Sequence, residues 1–251
     1  MHIPMQTSMQ TCTHTAMNLL NKSPVIELSQ AHYTWPGSSS TTLLIEQLTV
    51  TAGEHLFIKG PSGCGKSTLL GLLTGILQLD TGSINVLGQD LSQLKGSQRD
   101  RFRANNIGYI FQQFNLLPYL SVLDNVTLPC LFSPQRRQQV RGDLKSQAQE
   151  LLAALHLPDS QLTKPVTELS IGQQQRVAAA RALIGNPQLI IADEPTSALD
   201  HDNRSAFIEL LLKQVNQANA TLLFVSHDPT LESLFDRSLD LRAINQAGGE
   251  Q

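Results

Sequence analysis

The chain has 251 residues, of which 41% are hydrophobic and 16% are charged, and its formal net charge is −3. This length and composition suit a globular protein with a sizeable core, and the slightly acidic balance argues against nucleic acid as a partner. The apolar runs fall short of the ~18–20 residues that a membrane span needs, and the few, widely spaced cysteines favour a reducing cytosol without disulfides or a zinc site.

The N-terminal part predicts an extension followed by a β-hairpin. Residues 1–23 are rich in Thr, Gln, Met and His and show no hydrophobic period, so we expect a disordered extension. Strands are predicted over Pro24–Leu28 and Leu43–Val50, on either side of a Gly- and Ser-rich tip at residues 36–40. These strands predict an N-terminal antiparallel β-subdomain.

A phosphate-binding loop follows this subdomain. The motif G-x-x-x-x-G-K-[ST] is matched within the stretch Gly60, Pro61, Ser62, Gly63, Cys64, Gly65, Lys66, Ser67 and Thr68. A buried strand is predicted before it at Leu56–Ile58 and a helix after it at Ser67–Leu77, and this context favours nucleotide binding over an ordinary Gly-rich turn. The glycines let successive N–H groups point at one anion, and the start of the helix adds its positive dipole end. We expect Lys66 to bridge the β- and γ-phosphates of ATP and the Ser67 hydroxyl to ligate Mg²⁺.

The middle of the chain predicts three short elements and then a helical block. The elements are a strand over Ser83–Leu87, a polar helix over Ser97–Ala104 and a buried strand over Ile107–Phe111 that runs into Gln112. The block that follows, at about residues 115–180, predicts an inserted α-helical subdomain.

Prolines and apolar spacing divide this helical block. Pro129 and Pro134 are expected to break the chain, and Gln135–Leu155 shows the apolar spacing of one helix. Arg136 and its neighbour Arg137 are interpreted as part of a solvated face.

The C-terminal part alternates helix and strand. Two helices and two buried strands are predicted: Ile171–Ile184, Leu189–Ala192, Asn203–Val215 and Thr221–Val225. Such alternation after a phosphate loop favours an α/β fold, a P-loop NTPase core with a parallel sheet and right-handed crossovers. Since no internal repeat is visible, we expect one ATPase domain over residues 24–245 and a tail over residues 246–251.

Two acids end the first of these buried strands. Ligands of parallel sheets bind at the carboxyl ends of the strands, where Asp193 and Glu194 follow the apolar run. Asp193 is therefore expected to hold Mg²⁺ through water, and Glu194 to polarise an attacking water as general base. The alternative is a pair of solvated acids that cap a strand.

Residues 169–178 resemble a motif of a known protein family. Their sequence, Leu-Ser-Ile-Gly-Gln-Gln-Gln-Arg-Val-Ala, resembles the signature sequence of ABC-type ATPases, usually Leu-Ser-Gly-Gly-Gln, with Ile171 in place of the first glycine. The resemblance extends in order from about Val25 to Leu241. Its motifs are more specific together than any one of them alone.

Four further residues match motifs of this family. Gln112 resembles its glutamine loop, which implies a ligand of Mg²⁺ and water that reports to a membrane partner, although a buried amide would also fit. Trp35 resembles the aromatic residue that stacks on adenine, with Tyr33 as the second candidate, although a core or surface position would also fit. His227 resembles the switch histidine that senses the γ-phosphate, the alternative being a strand-end histidine bonded to backbone. Asp200 ends the stretch Ser197–Asp200, which resembles the D-loop.

The signature residues imply a site shared between two copies of the chain. In this family Ser170, Gly172 and Gln173 open a helix whose N-terminus faces the γ-phosphate held by the other protomer, so that a homodimer buries two ATP molecules. Taken alone, these residues also fit an ordinary capped helix start. The substitution at Ile171 bears only on how closely this backbone approaches the phosphate.

The resemblance implies a transporter subunit that hydrolyses ATP. Lys66, Gln112, Glu194 and His227 would be its catalytic residues, and it would act from the cytoplasmic face of the cell membrane on a separate integral-membrane permease. Two stretches, Phe111–Pro118 and Asn125–Pro129, resemble the ATPases of lipoprotein release and macrolide export. We therefore expect export or envelope-directed transport.

Other functions are weighed against this one. A DNA-repair ATPase of the same fold would need a long coiled-coil or zinc insertion between Lys66 and Ser170, for which the chain has no room. A kinase or GTPase would share the phosphate loop but not the signature, and no guanine-binding Asn-Lys-x-Asp motif follows. An ATPase that regulates a membrane protein without transport remains the open alternative.

Overall fold

The computed structural model describes residues 23–197 and 201–248. The expected extension at residues 1–23, apart from Ser23, and Asp200 of the D-loop stretch lie outside these described residues. The strands, in chain order, are β1 Pro24–Tyr33, β2 Leu43–Thr51, β3 His55–Lys59, β4 Thr81–Val86, β5 Gln89–Asp90, β6 Ile107–Ile110, β7 Leu189–Asp193, β8 Thr221–Val225 and β9 Arg237–Asp240.

The helices join and cover these strands. In chain order they are α1 Lys66–Leu73, α2 Gly96–Asn106, α3 Val122–Phe132, α4 Pro134–Gln139, α5 Leu144–Ala154, α6 Ile171–Leu183, α7 His201–Gln217 and α8 Leu241–Ile244. Short 3-10 turns lie at Leu91–Gln93, Asp159–Gln161, Val166–Glu168, Pro229–Leu234 and Gln246–Gly248.

Two sheets form the framework. An antiparallel sheet has the order β2-β1-β4-β5, and a parallel sheet has the order β6-β7-β8-β3-β9. The predicted α/β fold, with a parallel sheet, a separate antiparallel sheet and an inserted helical region, is confirmed. Because β7, β8 and β3 are neighbours, the segments that follow these three strands meet at one edge of the sheet.

The parallel sheet is buried on both faces, as its continuous apolar strands require. Successive residues of β7 point to opposite faces. Ile190 and Ala192 pack in a core that includes residues of α3, α5, α6 and α7. Leu189 and Ile191 pack in a second core that includes residues of α1 and the antiparallel sheet. This double cover fixes the carboxyl end of β7 in a rigid setting.

The helical block departs from its prediction in two places. Pro129 lies inside α3 instead of breaking it, since a proline removes only its own bond to the residue four earlier, and the helix continues with Ser133 N donating to Pro129 O at 3.1 Å. The single helix expected over Gln135–Leu155 is two helices, α4 and α5. The second begins where the Asp143 carboxylate accepts Ser146 N–H at 2.9 Å and caps a new N-terminus.

The solvated face expected at Arg136 is wrong, while Arg137 is exposed as expected. Arg136 is 3% exposed, and its guanidinium donates to the carbonyls of Ile184 at 2.6 Å and Ala182 at 2.7 Å. These carbonyls lie at the C-terminal end of α6, where the last C=O groups of a helix have no N–H donor within it, so the guanidinium acts as a C-terminal cap. Burial lowers the pKa of Arg136 to about 10.

A glycine lets α6 approach the sheet at the same end. A Cβ on Gly108 of β6 would lie 2.2 Å from the carbonyl oxygen of Ala182. The end of α6 is therefore held from two sides, by the β6 backbone and by Arg136.

Among the helices that the structure describes, none combines the length and the apolar character that a membrane span requires.

Candidate nucleotide site

The phosphate loop connects β3 to α1. Gly65, the residue before α1, has φ +101°, a backbone conformation that side-chain-bearing residues rarely adopt. The first N–H groups of α1 have no partner within the helix, so this turn presents donors and the positive end of the helix dipole to an anion. The local sequence thus builds an anion site at the edge where β7, β8 and β3 end.

Lys66 carries the positive charge of this loop. Its ammonium donates to the carbonyls of Gly60 at 2.8 Å and Pro61 at 2.9 Å, and the side chain is only 9% exposed. The same nitrogen lies 3.9 Å from Oε1 of Glu194. The ammonium is therefore held between the phosphate loop and the acidic end of β7.

Asp193 ends β7 in a buried setting. Its Oδ2 accepts a hydrogen bond from the Tyr109 hydroxyl at 3.3 Å. Burial raises the pKa of Asp193 above its ordinary value, and the hydrogen bond from Tyr109 opposes that rise. Burial also raises the pKa of Tyr109, so this phenol stays protonated and remains a donor.

Glu194 has an unusual backbone for a residue with a side chain. Its φ is +44°, and its N–H donates to Val225 O at 2.9 Å, which keeps the chain against β8 after the strand ends. Such left-handed conformations cost free energy and cluster at functional sites. The carboxylate reaches Nδ1 of His227 at 3.4 Å with one oxygen while the other faces Lys66.

A buried glutamine that sequence reasoning missed supports this turn. Gln175 of α6 is fully buried, and its Nε2 donates to the carbonyl of Pro195 at 2.9 Å, one residue after Glu194. It is one of three consecutive glutamines, and only the helical phase of the run could have marked it as the inward one.

One cavity, of about 510 Å³, gathers most of the predicted site residues. The phosphate loop and the first turn of α1 contribute Ser62, Gly63, Gly65, Lys66, Ser67 and Thr68. Four other segments contribute Trp35, Gln112, Asp193, Glu194 and His227. Thr42, which sequence reasoning did not select, completes the lining. Of the remaining loop residues, Gly60 and Pro61 accept hydrogen bonds from Lys66 through their carbonyl oxygens. Cys64 lines a different pocket, together with Arg242 and Asn245.

The oxygen atoms at this cavity suit a hard cation. Ser67 brings a hydroxyl, Gln112 an amide oxygen and Asp193 a carboxylate, and all three residues line the same space. Oxygen ligands of this kind, with phosphate oxygens and water to complete the set, are those that Mg²⁺ prefers. The donor set therefore fits a magnesium ion that is bound together with nucleotide phosphates.

An aromatic ring also lines the cavity. Trp35 is 46% exposed, and Tyr33 packs edge-on against it, with ring centroids 5.4 Å apart and an interplanar angle of 84°. Tyr33 itself is buried. Of the two aromatic candidates, only Trp35 offers a free face to a flat base.

The start of α6 lies outside this cavity. The Ser170 hydroxyl accepts Gln173 N–H at 3.3 Å, and the Gln173 side chain accepts Ser170 N–H at 3.0 Å, which makes a complete capping box. Ile171 is 54% exposed, and neither it nor Gly172 contributes to the cavity lining. The structure thus places Ser170, Gly172 and Gln173 together at an exposed helix end, apart from the phosphate loop of the same chain.

Comparison with known families gives a match over most of this framework. The family model for ABC transporters matches residues 46–197. The lipoprotein-releasing system ATP-binding protein LolD of Shewanella sp. strain MR-7 is 38% identical over 82% of this chain and 87% of its own length. The macrolide export ATP-binding/permease protein MacB of Chromobacterium violaceum is 37% identical over 86% of this chain, which spans 33% of that longer protein.

A solved structure shares the fold. The dimeric ATP-binding cassette MJ0796, bound to ADP and Pi in a post-hydrolysis state, superposes with a TM-score of 0.74 at 32% identity. The match covers 86% of this chain and 94% of that one.

Proposed function

This chain belongs to the ABC transporter family as a subunit that binds and hydrolyses ATP, and from that premise we propose that two copies close around two ATP molecules to drive a separate membrane permease. The cargo direction we propose is export or envelope-directed transport of the lipoprotein-release and macrolide-export type. One observation carries the proposal: the acids, the lysine and the phosphate loop converge in one cavity, while the start of α6 is exposed outside it.

The catalytic role of Glu194 rests on its two neighbours. In the proposed reaction Glu194 takes a proton from the attacking water, the new bond forms at the γ-phosphorus, and the bond to ADP breaks. Lys66 stabilises the charge on the phosphate oxygens, and His227, 3.4 Å from Glu194, orients the water and senses the γ-phosphate. Mg²⁺ held by Ser67, Gln112 and Asp193 supplies further charge neutralisation when it is bound.

The second copy supplies what the cavity lacks on its open side. The start of α6 presents free N–H groups and a positive dipole end, which suit the terminal phosphate of an ATP held by the other copy. In this proposal Ser170, Gly172 and Gln173 contact that phosphate. The dimeric state of MJ0796, a cassette of the same fold bound to ADP and Pi, supports this arrangement.

The permease partner is supported by large apolar side chains that are left at the surface. Tyr119, Leu131 and Phe132 are each more than 70% exposed, and all three lie in the segment that follows Gln112. Large apolar side chains left at a surface are typical of a protein–protein contact. We place the protein on the inner face of the cell membrane, where this surface meets the permease and Gln112 links it to the nucleotide.

Affinity capture tests the permease assignment. The tagged chain, purified from gently detergent-solubilised membranes, should bring down an integral-membrane protein with few spans and a large external domain. Phe132→Glu should abolish the capture, and Ile76→Glu, a substitution of another exposed apolar residue outside this segment, should not. Capture of a many-span permease would overturn the proposed direction, and capture of soluble proteins only would favour a regulator without transport.

A further inference from the structure

The side chain of Asn245 bonds to four backbone groups in three segments of the chain. Its Oδ1 accepts Leu44 N–H at 2.9 Å and Ala247 N–H at 3.1 Å, and its Nδ2 donates to Thr42 O at 3.1 Å and Cys64 O at 3.2 Å. Both donors and both lone pairs of the amide are thus used. The reverse orientation of the amide would set like groups against each other at all four contacts, so the assignment is unambiguous.

The two carbonyls that Asn245 joins belong to two separate segments of the chain that border the nucleotide cavity. Thr42 lines the cavity and ends the segment that begins at Trp35. Cys64 lies in the phosphate loop between Gly63 and Gly65, both of which line the same cavity. One NH₂ group therefore ties the segment that carries Trp35 and Thr42 to the phosphate loop.

The amide lies directly against the loop. A Cβ placed on Gly65 would be 3.5 Å from Nδ2 of Asn245 and 3.5 Å from Thr42 O. The three groups are therefore packed together behind the turn that opens α1. A shift of the Thr42 segment relative to the loop would break at least one bond of the amide.

Asn245 is itself held firmly in place. Its N–H donates to the carbonyl of Leu241 at 2.8 Å, and Leu241 is fully buried. An isolated antiparallel bridge also pairs Asn245 with Ile45 of β2. The backbone of the residue is therefore fixed to the core, which makes its amide a rigid spacer.

We propose that Asn245 is a positioning residue for ATP, which sets the spacing between the Trp35–Thr42 segment and the phosphate loop. The proposal rests on the nucleotide site assigned above. ATP contacts both sides at once through one covalent frame, so its affinity depends on the spacing, whereas a ligand that contacts the phosphate loop alone does not sense it. In the described part of the chain, the side chain of Asn245 hydrogen-bonds to Leu44, Ala247, Thr42 and Cys64 and to none of Lys66, Glu194 or His227, so we expect turnover at saturating ATP not to depend on it.

Binding of two probes by variants tests the proposal. Asn245→Ala should weaken binding of ATP about 10-fold, raise the KM for ATP by the same factor, and leave kcat within about 2-fold, while binding of inorganic tripolyphosphate falls by about 2-fold or less. Gln246→Ala, a change at the exposed neighbouring residue, is the matched control and should leave all these values unchanged.

A second variant separates the two halves of the amide. Asn245→Asp keeps the two acceptor contacts that hold Leu44 and Ala247 but removes the two donors to Thr42 and Cys64. It should show the same loss of ATP affinity, and Gln246→Glu controls for the added charge. If Asn245→Ala melts far below the wild type, the ratio of its ATP affinity to its tripolyphosphate affinity, measured well below its melting temperature, carries the test.

Coupling to Trp35 decides between a spacer and a general structural role. In a double-mutant cycle, Trp35→Ala should weaken ATP binding less in the Asn245→Ala background than in the wild type, because the ring is already out of register. Additive losses, equal losses for ATP and tripolyphosphate, or a fall in kcat at unchanged KM would overturn the inference. If neither Trp35→Ala nor Lys66→Ala alone weakened ATP binding, the proposed nucleotide site itself would be wrong.

Discussion

The nucleotide cavity and the exposed start of α6 are built in opposite ways. In the cavity, charged groups from separate segments contact one another, with Glu194 3.9 Å from Lys66 and 3.4 Å from His227. At the start of α6 the polar groups of Ser170 and Gln173 bond to each other, and Ile171 is open to solvent. The cavity is thus arranged within one chain, whereas the helix end is fixed in shape but does not line this cavity.

The two ends of α6 extend this comparison. The C-terminal end is clamped by Arg136 and packed against Gly108, while Ile171 at the N-terminal end is exposed. A helix that is fixed at one end presents the other end at a defined position. We infer that this rigidity prepares the exposed end for a second copy of the chain.

The largest expected effect comes from the cavity itself. Glu194→Gln removes the proposed base but keeps the shape of the side chain, so kcat should fall by about 10²–10⁴-fold. ATP binding should persist, and the variant should accumulate as an ATP-bound dimer. Steady-state ATPase assays and light scattering with ATP and Mg²⁺ measure the two properties, with Glu209→Gln on the exposed face of α7 as control. Normal turnover would remove Glu194 as the base.

The next effect tests whether the two regions act across a dimer. Lys66→Ala should weaken ATP binding by about 10–100-fold and abolish ATPase activity, because the buried ammonium no longer meets the phosphates or the charge that develops on them in the reaction. Gly172→Asp should also abolish activity, since an acid in the first turn suits the helix but repels phosphate.

A mixture of these two inactive variants gives the sharpest outcome. Each mixed dimer holds one site with an intact phosphate loop and an intact facing helix. ATPase activity should therefore return to roughly a quarter of the wild-type rate, because half of randomly paired dimers carry one intact site of two. No recovery in the mixture, despite dimer formation, would show that the exposed helix does not act on the other copy.

Much of the cavity could be predicted from sequence, because its residues sit in short local patterns. The phosphate loop is a continuous motif, and Asp193 and Glu194 follow an apolar strand, so a parallel sheet brings them to one edge. Arg136, Gln175 and Asn245 could not be found this way. Each bonds to backbone carbonyls far along the chain, such as Ile184, 48 residues from Arg136, and no local period shows which polar side chain turns inward.

A stability measurement tests the clamped end of α6. Arg136→Met should lower the free energy of unfolding by about 2 kcal/mol, because the carbonyls of Ala182 and Ile184 lose their donors in a buried setting. Arg137→Met, a change at the exposed neighbour, should alter it by less than about 0.5 kcal/mol. Denaturant unfolding of both variants measures the difference. Equal stability of the two would show that the clamp contributes nothing.

The smallest effect concerns the side chain that the free end of α6 presents. Ile171 takes the place of a glycine in the family's usual signature, and its exposed branched side chain stands where the proposed dimer brings phosphate close. Ile171→Gly should let the helix end approach more closely, and the ATP concentration for half-maximal dimer formation by the Glu194→Gln chain should fall about 2- to 5-fold.

Glycine in the first helical turn also lowers the stability of the helix by up to about 1 kcal/mol, and this loss opposes the gain in dimer formation only if α6 frays. The capping box of Ser170 and Gln173 and the clamp at Arg136 both resist fraying, so the gain in approach should prevail. Ile171→Ala removes most of the branched side chain without lowering the helix propensity, so it separates the effect of closer approach from the effect of helix stability. Weaker dimerisation of both variants would mean that Ile171 makes an apolar contact with the second copy.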